Sequence, residues 1–449
     1  MMTDEQRQHA VAAIQQALPA LEWTLQPAKI KRLSRDFHWF SPLLTEQLAG
    51  KQADAVVRPR DEEELRQLVP LEGGLLVDMT GLNQIVALGN GTVRAQAGIR
   101  LAEIETAARP TGWELRCMPS TYRLASLGGL YGGGFGGIGS INYGPLAAPG
   151  NVLSVKVMTV EPAPRVLTVP APEALLLHHA YGTNGIILEV ELALAPVHQW
   201  IERLDVFDDF ADALNYANAC VRSPGLVKRQ VALLATPIAD YFSHLNDRYR
   251  AGQHAVISLI AEESEGLCAS LLPRHHGSNA IRQASEEART RNGSLMEYCW
   301  NHTTLHALKV DNTLTYLQTA FDPLRYPQQI LQMEQHFAGE VMSHIEFLRD
   351  IEGNLTASGL QLVRYTTPER LNDIMQIFRD NDVKINNPHV LQVEDGKQGV
   401  IRPDVVAVKQ SLDPAGLLNP GKLRGWALRD QLELDSNPLT RATRESPTT

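Results

Sequence analysis

Apolar and polar positions alternate along this chain with two periods, and the period changes mark its elements. Thr3 to Leu18 spaces its apolar residues for one helix face, with Asp4 and Glu5 in the first turn. Ala55-Val-Val-Arg-Pro59 reads as a short strand ended by proline, and Asp61 to Val69 as a helix opened by an acidic run. Gly74 to Asp78 and Thr92 to Ala97 follow as strands, the second with strict alternation, and Leu101 to Ala108 as a helix. Val152 to Val160 and Gly185 to Leu194 are rich in Val, Ile and Leu and predict two further strands. Beyond Ala195-Pro-Val197 the character changes. Elements such as Ile201 to Val206, Phe210 to Cys220, His254 to Ala261, Leu314 to Leu317 and Gln328 to Phe337 now alternate without glycine-rich loops. Pro368 to Asp380 and Pro403 to Leu412 predict helices, and the polar tail after Trp426 is expected to fray. No internal repeat is visible.

With 449 residues the chain exceeds one ordinary core. Its divisions fall at 1–197, 198–400, 401–426 and 427–449. Hydrophobic content of 44% and charged content of 20% are those of a globular protein. A net charge of -10 argues against duplex nucleic acid, which demands a basic face. Cys117, Cys220, Cys268 and Cys299 are scattered with no CxxC pair, so buried free thiols in a reducing cytoplasm are expected. Neither a signal peptide nor an apolar run of membrane-spanning length is present, so no integral membrane span is expected. Peripheral attachment, a homo-oligomer and a partner subunit are left open.

The most unusual stretch runs from Ser126 to Gly144, with nine glycines between Gly128 and Gly144. Glycine allows positive φ and lets backbone N–H groups approach a ligand closely, and successive N–H groups form an anion-binding concavity. A flexible linker would be poor in apolar residues, whereas Leu130, Tyr131, Phe135, Ile138, Ile141 and Tyr143 are interleaved here. The stretch is neither a GxGxxG opening a helix nor a GK[ST] P-loop, which argues against a nicotinamide or nucleotide-triphosphate site.

Ala125-Ser-Leu-Gly-Gly129, the glycine stretch, Tyr143-Gly144 and Gly182-Thr-Asn-Gly185-Ile-Ile-Leu-Glu189 come in a telling order. Asp54-Ala-Val-Val-Arg-Pro59, Val93-Arg-Ala-Gln-Ala-Gly98 and Leu412-Asp-Pro-Ala-Gly-Leu-Leu-Asn-Pro-Gly-Lys422 extend it. Together they resemble the FAD-binding domain of the vanillyl-alcohol oxidase/PCMH superfamily, the D-lactate dehydrogenase and glycolate oxidase D-subunit branch above all. The resemblance covers roughly residues 50 to 200 and 405 to 425. It implies an α+β fold in which two subdomains clasp FAD under an α+β cap domain. Pro119, Ser120, Ser126, Gly128, Gly129, Gly132, Gly133, Gly134, Gly136, Gly137 and Tyr143 would line the flavin and its ribityl-pyrophosphate. Gly185, Ile186 and Ile187 would present backbone to the adenine end, with Asn419 and Lys422 packed nearby.

One departure stands out. Family members place a second glycine-rich loop after the first helix, whereas here Leu68-Val69 runs straight into Pro70-Leu-Glu-Gly-Gly74. The histidine that some members link covalently to the flavin would sit in that loop, so non-covalent FAD is expected. Losing several charge-assisted hydrogen bonds to a pyrophosphate, each worth about 1.5–3 kcal/mol, makes cofactor retention the open question.

The implied activity is oxidation of a small 2-hydroxy acid or related alcohol by hydride transfer to flavin, with the electron acceptor unspecified. The alternative is a flavin-fold protein that has lost FAD and serves as a non-catalytic scaffold subunit. His302, His389 and Arg123 are the candidate catalytic residues, the histidines as proton acceptors and the arginine as a carboxylate clamp. Lys309 and Arg364 are further clamp candidates. His302 and His306, four apart, also suit one helix face for a metal pair or hydrogen-bonded structural histidines, and no metal site is assigned. His178-His179 reads as a solvated pair or a packing site.

Overall fold

The computed structural model describes residues 3–68, 74–134, 136–291 and 293–445. Nineteen strands are assigned among them, in three sheets. The first sheet holds β1 (Glu22–Thr24), β2 (Ala55–Arg58) and β3 (Leu75–Val77), in that order. β2 is apolar and buried through Ala55-Val56-Val57, and it pairs in parallel with β3, Ala55 opposite Leu75. The helix Glu62–Leu68 makes the crossover, with Glu62, Glu63 and Glu64 against the positive end of its dipole and Leu65 and Leu68 buried. It ends at Leu68 and β3 begins at Leu75. The junction at 69–73, where the sequence reading expects the second glycine loop to be missing, lies outside the described residues.

The second sheet is built on β9 (Ile186–Pro196), with β5 (Thr92–Gln96) and β7 (Val152–Met158) as antiparallel neighbours. β4 (Ile85–Gly89) pairs with β5, β8 (Val166–Pro170) with β7, and the short β6 (Trp113–Leu115) with the end of β9. β9 is long because its Val, Leu and Ala residues have neighbours on both faces to bury them.

Only three residues separate Pro196 from β10 (Trp200–Phe207), yet β10 lies in a different sheet. This third sheet has nine strands. They are β10, β11 (Lys228–Leu234), β12 (His254–Ala261), β13 (Ser278–Ala284), β14 (Leu314–Ala320), β15 (Val341–Met342), β16 (His344–Arg349), β17 (Leu355–Arg364) and β18 (Lys384–Asn386). The amphipathic helices Phe210–Arg222, Tyr326–Phe337 and Pro368–Asp380 bury residues in one apolar cluster with strands of this sheet. A separate apolar core joins the second and third sheets: Val93, Leu101 and Tyr131 belong to the same cluster as Leu204, Ile257 and Met342. No helix among the described residues is long and apolar enough to cross a membrane.

The tail corrects the sequence reading. Among the described residues the segment after Trp426 is tied down: Leu439 is buried, and β19 (Thr443–Arg444) adds to the edge of the second sheet, Thr443 opposite Thr168. Glu445 anchors it with a 3.0 Å ion pair to Lys156. Polar residues here satisfy an open sheet edge instead of solvent. All four cysteines are free and buried.

Candidate functional site

The glycine stretch divides into two parts that do different things. Ser126 caps a helix over Leu127–Gly133, accepting from the Gly129 amide at 3.2 Å. Leu127, Leu130 and Tyr131 bury one face, and Gly128 lies against Ala97, where a Cβ would come within 2.8 Å. The first amides of this helix are already spent, Leu127 on the Ile99 carbonyl, Gly128 on the Ala97 carbonyl and Gly129 on Ser126 Oγ, so the expected concavity of free N–H groups does not extend across it. Gly132 and Gly133 instead leave an open surface, since a Cβ at Gly133 would meet nothing within 4 Å. The irregular half follows. Gly134 takes φ +62° with the His179 ring carbon 2.2 Å from where a Cβ would stand, and Gly137 takes φ +131° against the Met118 carbonyl. Neither position admits a side chain.

A cavity of about 980 Å³ opens between this irregular half and the third sheet. Gly134, Gly136, His178 and His179 line one side, and Gln318 and Gly359 of β14 and β17 another. Backbone strain concentrates around it. Of the non-glycine residues with positive φ, His179 (57°), Trp300 (52°), Asp382 (59°) and Gln398 (57°) all line this cavity. Such conformations cost on the order of 1–3 kcal/mol each and persist where surrounding structure imposes them, most often at functional sites.

Trp300 shows what imposes one of them. Its backbone N–H donates to Glu346 at 2.6 Å and its indole N–H to Gln230 at 3.1 Å. Gln230 in turn donates to Glu346, and His344 bonds the same carboxylate at 2.8 Å, all fully or almost fully buried. This buried network on β11 and β16 fixes the indole, whose edge would lie 3.6 Å from a Cβ at Gly136.

Of the two readings of His178-His179, solvated pair or packing site, the structure favours the second, with His178 buried against Tyr131. Burial depresses both, with Lys397 and then Arg402 (and for His179 also His178) adding repulsion, so that His178 falls to about 4 and His179 to about 3. His179 Nε2 bonds the Tyr181 hydroxyl at 2.9 Å. His178 packs edge-on to Tyr131, and its Nε2 has no hydrogen-bond partner among the described residues.

The C-terminal return reaches the same place. Asn419 Nδ2 donates to the Tyr181 and Gly182 carbonyls at 3.0 and 2.9 Å, and the Lys422 ammonium lies 5.2 Å from the Tyr181 ring centre. Tyr181 N–H donates to the Gly132 carbonyl, so Asn419, Lys422, Gly132 and Gly133 are assembled around one turn. Lys409, which the sequence reading did not single out, is buried and ties the Thr183 carbonyl at 2.9 Å to Asp413 at 2.7 Å. Gly185, Ile186 and Ile187 serve the strand: Gly185 packs on Val157, and Ile186 and Ile187 pair with Met158 and Val157 of β7.

Other expected site residues lie elsewhere. Arg123 pairs with Glu297 at 2.6 Å in a separate cleft, and His302, depressed to about 4 by burial and by Lys309 and Arg123, approaches the same carboxylate at 3.9 Å. The two are brought together, but neither lines the large cavity. His389 is 2% exposed, with Nδ1 on the Ser41 hydroxyl and Nε2 on the Tyr316 carbonyl, both at 2.8 Å. Both nitrogens are occupied, so it is a structural tie and not a proton acceptor. Tyr143 sits under the Arg116 guanidinium and lines a different cleft from the glycine cavity. His306 stacks on Tyr298, with ring centres 4.5 Å apart. Among the described residues no group of three or more His, Cys, Asp or Glu could hold a metal. Pro119 and Ser120 follow Met118, which exchanges backbone bonds with Ile138, and the buried Ser120 hydroxyl has no partner among the described residues.

These features fit a flavin nucleotide: open backbone at Gly132 and Gly133, a cavity in the usual ligand size range, and orphaned buried polar atoms on Ser120 and His178. Comparison with known proteins agrees. Residues 69–163 match the family described as FAD binding domain. The chain is 33% identical over 130 residues to decaprenylphosphoryl-beta-D-ribose oxidase of Mycolicibacterium smegmatis (strain ATCC 700084 / mc(2)155). That match spans 28% of this chain and 27% of the relative. Solved structures of alkyldihydroxyacetonephosphate synthase share the fold. One has a TM-score of 0.62 at 14% identity, covering 94% of this chain and 86% of that one. Another has 0.56 at 14%, covering 83% and 78%. These likenesses point to the FAD-binding PCMH-type superfamily, and the FAD binding domain matched at residues 69–163 indicates FAD as the cofactor.

Proposed function

We propose that this chain is an oxidoreductase that oxidises a hydroxyl-bearing carbon of a small anionic substrate, a 2-hydroxy acid being the simplest, with FAD held non-covalently. The observation that carries the reading is the cavity itself, with glycine backbone on one wall, two uncharged histidines beside it and lysine and arginine side chains around it. The matched relative's name, an oxidase of a phosphoryl-ribose, supports an anionic substrate carrying hydroxyls.

When bound, the flavin supplies a two-electron acceptor for a hydride. The chain's own residues do the rest. Gly134 and Gly136 let backbone and ligand approach closely, and Trp300, held by Glu346 and Gln230, closes the wall beside them. His179 is uncharged near neutral pH and oriented by the Tyr181 hydroxyl, so a ring nitrogen is available to accept the substrate hydroxyl proton. An anionic group arriving beside Lys397 would offset the repulsion that depresses the histidine and raise its basicity at the moment it is needed.

The second glycine loop's contribution to the pyrophosphate falls, in this reading, to the turn at 181–183 and the C-terminal residues Asn419 and Lys422. The test is spectroscopic. The purified chain is expected to show flavin absorption at near-stoichiometric ratio, to release FAD on acid treatment, and to bleach anaerobically with a 2-hydroxy acid such as lactate or glycolate. Air or an artificial acceptor restoring the colour would identify the reoxidant. A colourless protein that takes up no added FAD would sink the reading in favour of a non-catalytic scaffold subunit.

A further inference from the structure

The chain carries a net charge of -10, yet the large cavity is lined by four cations, Arg325, Arg379, Lys384 and Lys397, against two carboxylates, Asp322 and Asp382. The two signs are not spread evenly. Both carboxylates face the arginine end, where Arg325 lies 3.2 Å from Asp382 and 3.7 Å from Asp322. Lys397 has no hydrogen bond or ion pair to any described residue. The charged group acting on it is another cation, Arg402, which is itself paired with Asp404 at 2.5 Å.

The acidic residues of its own turn are committed elsewhere. Glu394 accepts from the Arg424 and Gly425 amides at 3.0 and 2.9 Å, and Asp395 pairs with Arg424. That turn is tied down: Asn387 N–H donates to the Gly396 carbonyl, and Val393 N–H to the Lys422 carbonyl. Gln398, the next residue, is held at φ +57°. Opposite stand His178 and His179, the former 9% exposed with its Nε2 lacking a partner. An unpaired cation on a tied-down turn and an unsatisfied buried ring nitrogen, lining one cavity, are what an oxyanion would complete.

We infer that Lys397, with His178, forms an oxyanion-binding subsite for a phosphate or carboxylate group. The group belongs to the substrate or, given the abbreviated region after Leu68, to the pyrophosphate of FAD. The subsite shares the cavity of the proposed reaction but does not depend on that reaction, because it is read out by binding alone.

The experiment titrates inorganic phosphate, and then pyrophosphate, into the full-length protein by calorimetry, alongside measurement of its FAD content. Lys397→Gln, Lys397→Arg and Lys384→Gln are compared. Lys397 is exposed, so its replacement leaves the core untouched. The expected result is binding by the native chain, weakened about tenfold or more by Lys397→Gln, largely kept by Lys397→Arg and little changed by Lys384→Gln. If Lys397→Gln keeps its FAD, the oxyanion is the substrate's; if FAD is lost together with phosphate binding, it is the cofactor's. Unchanged FAD content in Lys397→Gln, together with anion binding that is undetectable in the native chain or equal in the two, overturns the inference. Failure to oxidise any hydroxy acid would count against the redox reading alone.

Discussion

Arg229 of β11 donates to Glu105, in the helix Leu101–Ala108, at 3.1 Å, although both side chains are almost wholly buried and belong to different halves of the chain. The same guanidinium donates to the Leu115 carbonyl at 2.7 Å and lies 3.5 Å from Glu114. The Arg229 carbonyl accepts from the Gly139 amide at 2.8 Å. One residue thus joins the sheet that covers the cavity to the glycine stretch that lines it.

Removing that cation leaves buried carboxylates under-compensated. Arg229→Met is expected to cost about 3–5 kcal/mol, read as a lower urea midpoint with little change in slope. A double replacement with Glu105→Gln should recover part of the loss. Equal stability of Arg229→Met and the native chain would show the pair to be energetically idle.

Buried neutral histidines make stability depend on pH. His178, His302 and His389 fall to about 4 in the fold, below the ordinary histidine value near 6.5. The unfolded chain therefore binds more protons between those values. Stability should be level above about pH 6.5 and fall as pH drops from about 6.5 toward 4, each group contributing at most about 1.4 kcal/mol per pH unit. The urea midpoint measured across this range checks it, and His389→Gln should flatten the slope by one group's share.

Two neighbouring glycines should respond oppositely to alanine. Gly133 lies in a helix with nothing near its missing Cβ, so Gly133→Ala is expected to stabilise the protein by about 0.5–1 kcal/mol. If the open face there is where the cofactor approaches, FAD content should fall in the same variant. Gly134→Ala places a methyl on the His179 ring at positive φ and should destabilise by about 1–3 kcal/mol or more. Thermal melting with flavin quantification separates the two effects.

Trp300→Phe removes the indole donor to Gln230 while keeping an aromatic ring. A buried carbonyl left unpaired costs about 1–3 kcal/mol. The expected signature is a lower melting temperature together with a shifted flavin absorption band, since the wall beside Gly136 loses its anchor. An unchanged band would place Trp300 outside the cofactor's surroundings.

Much of this was legible in local pattern. Strands such as Val152 to Val160 announce themselves because their residues are β-branched and doubly buried, and the helices at 368–380 and 403–412 appear with the bounds that proline at the start predicts. The glycine stretch betrayed the cavity because few other sequences need so many positions without a Cβ. What stayed hidden depended on partners distant in the chain. His389 looked like a proton acceptor from its own phrase, but Ser41, 348 residues earlier, holds its Nδ1. His178 and His179 could be read as a solvated pair or a packing site because nothing local reveals that Gly134 stands against the His179 ring. Trp300 carried no signal, since its strained backbone is imposed by Glu346, 46 residues further on.

The C-terminal return sets an order of events during synthesis. Every strand of the second sheet except β19 has been made by Pro196, yet the turn at 181–183 waits for Lys409 and Asn419, and the edge of β8 waits for Thr443. The cofactor half of the molecule must stand unfinished while the entire cap is translated, so its apolar edges are exposed longest just when a chaperone, or early capture of flavin, would matter most.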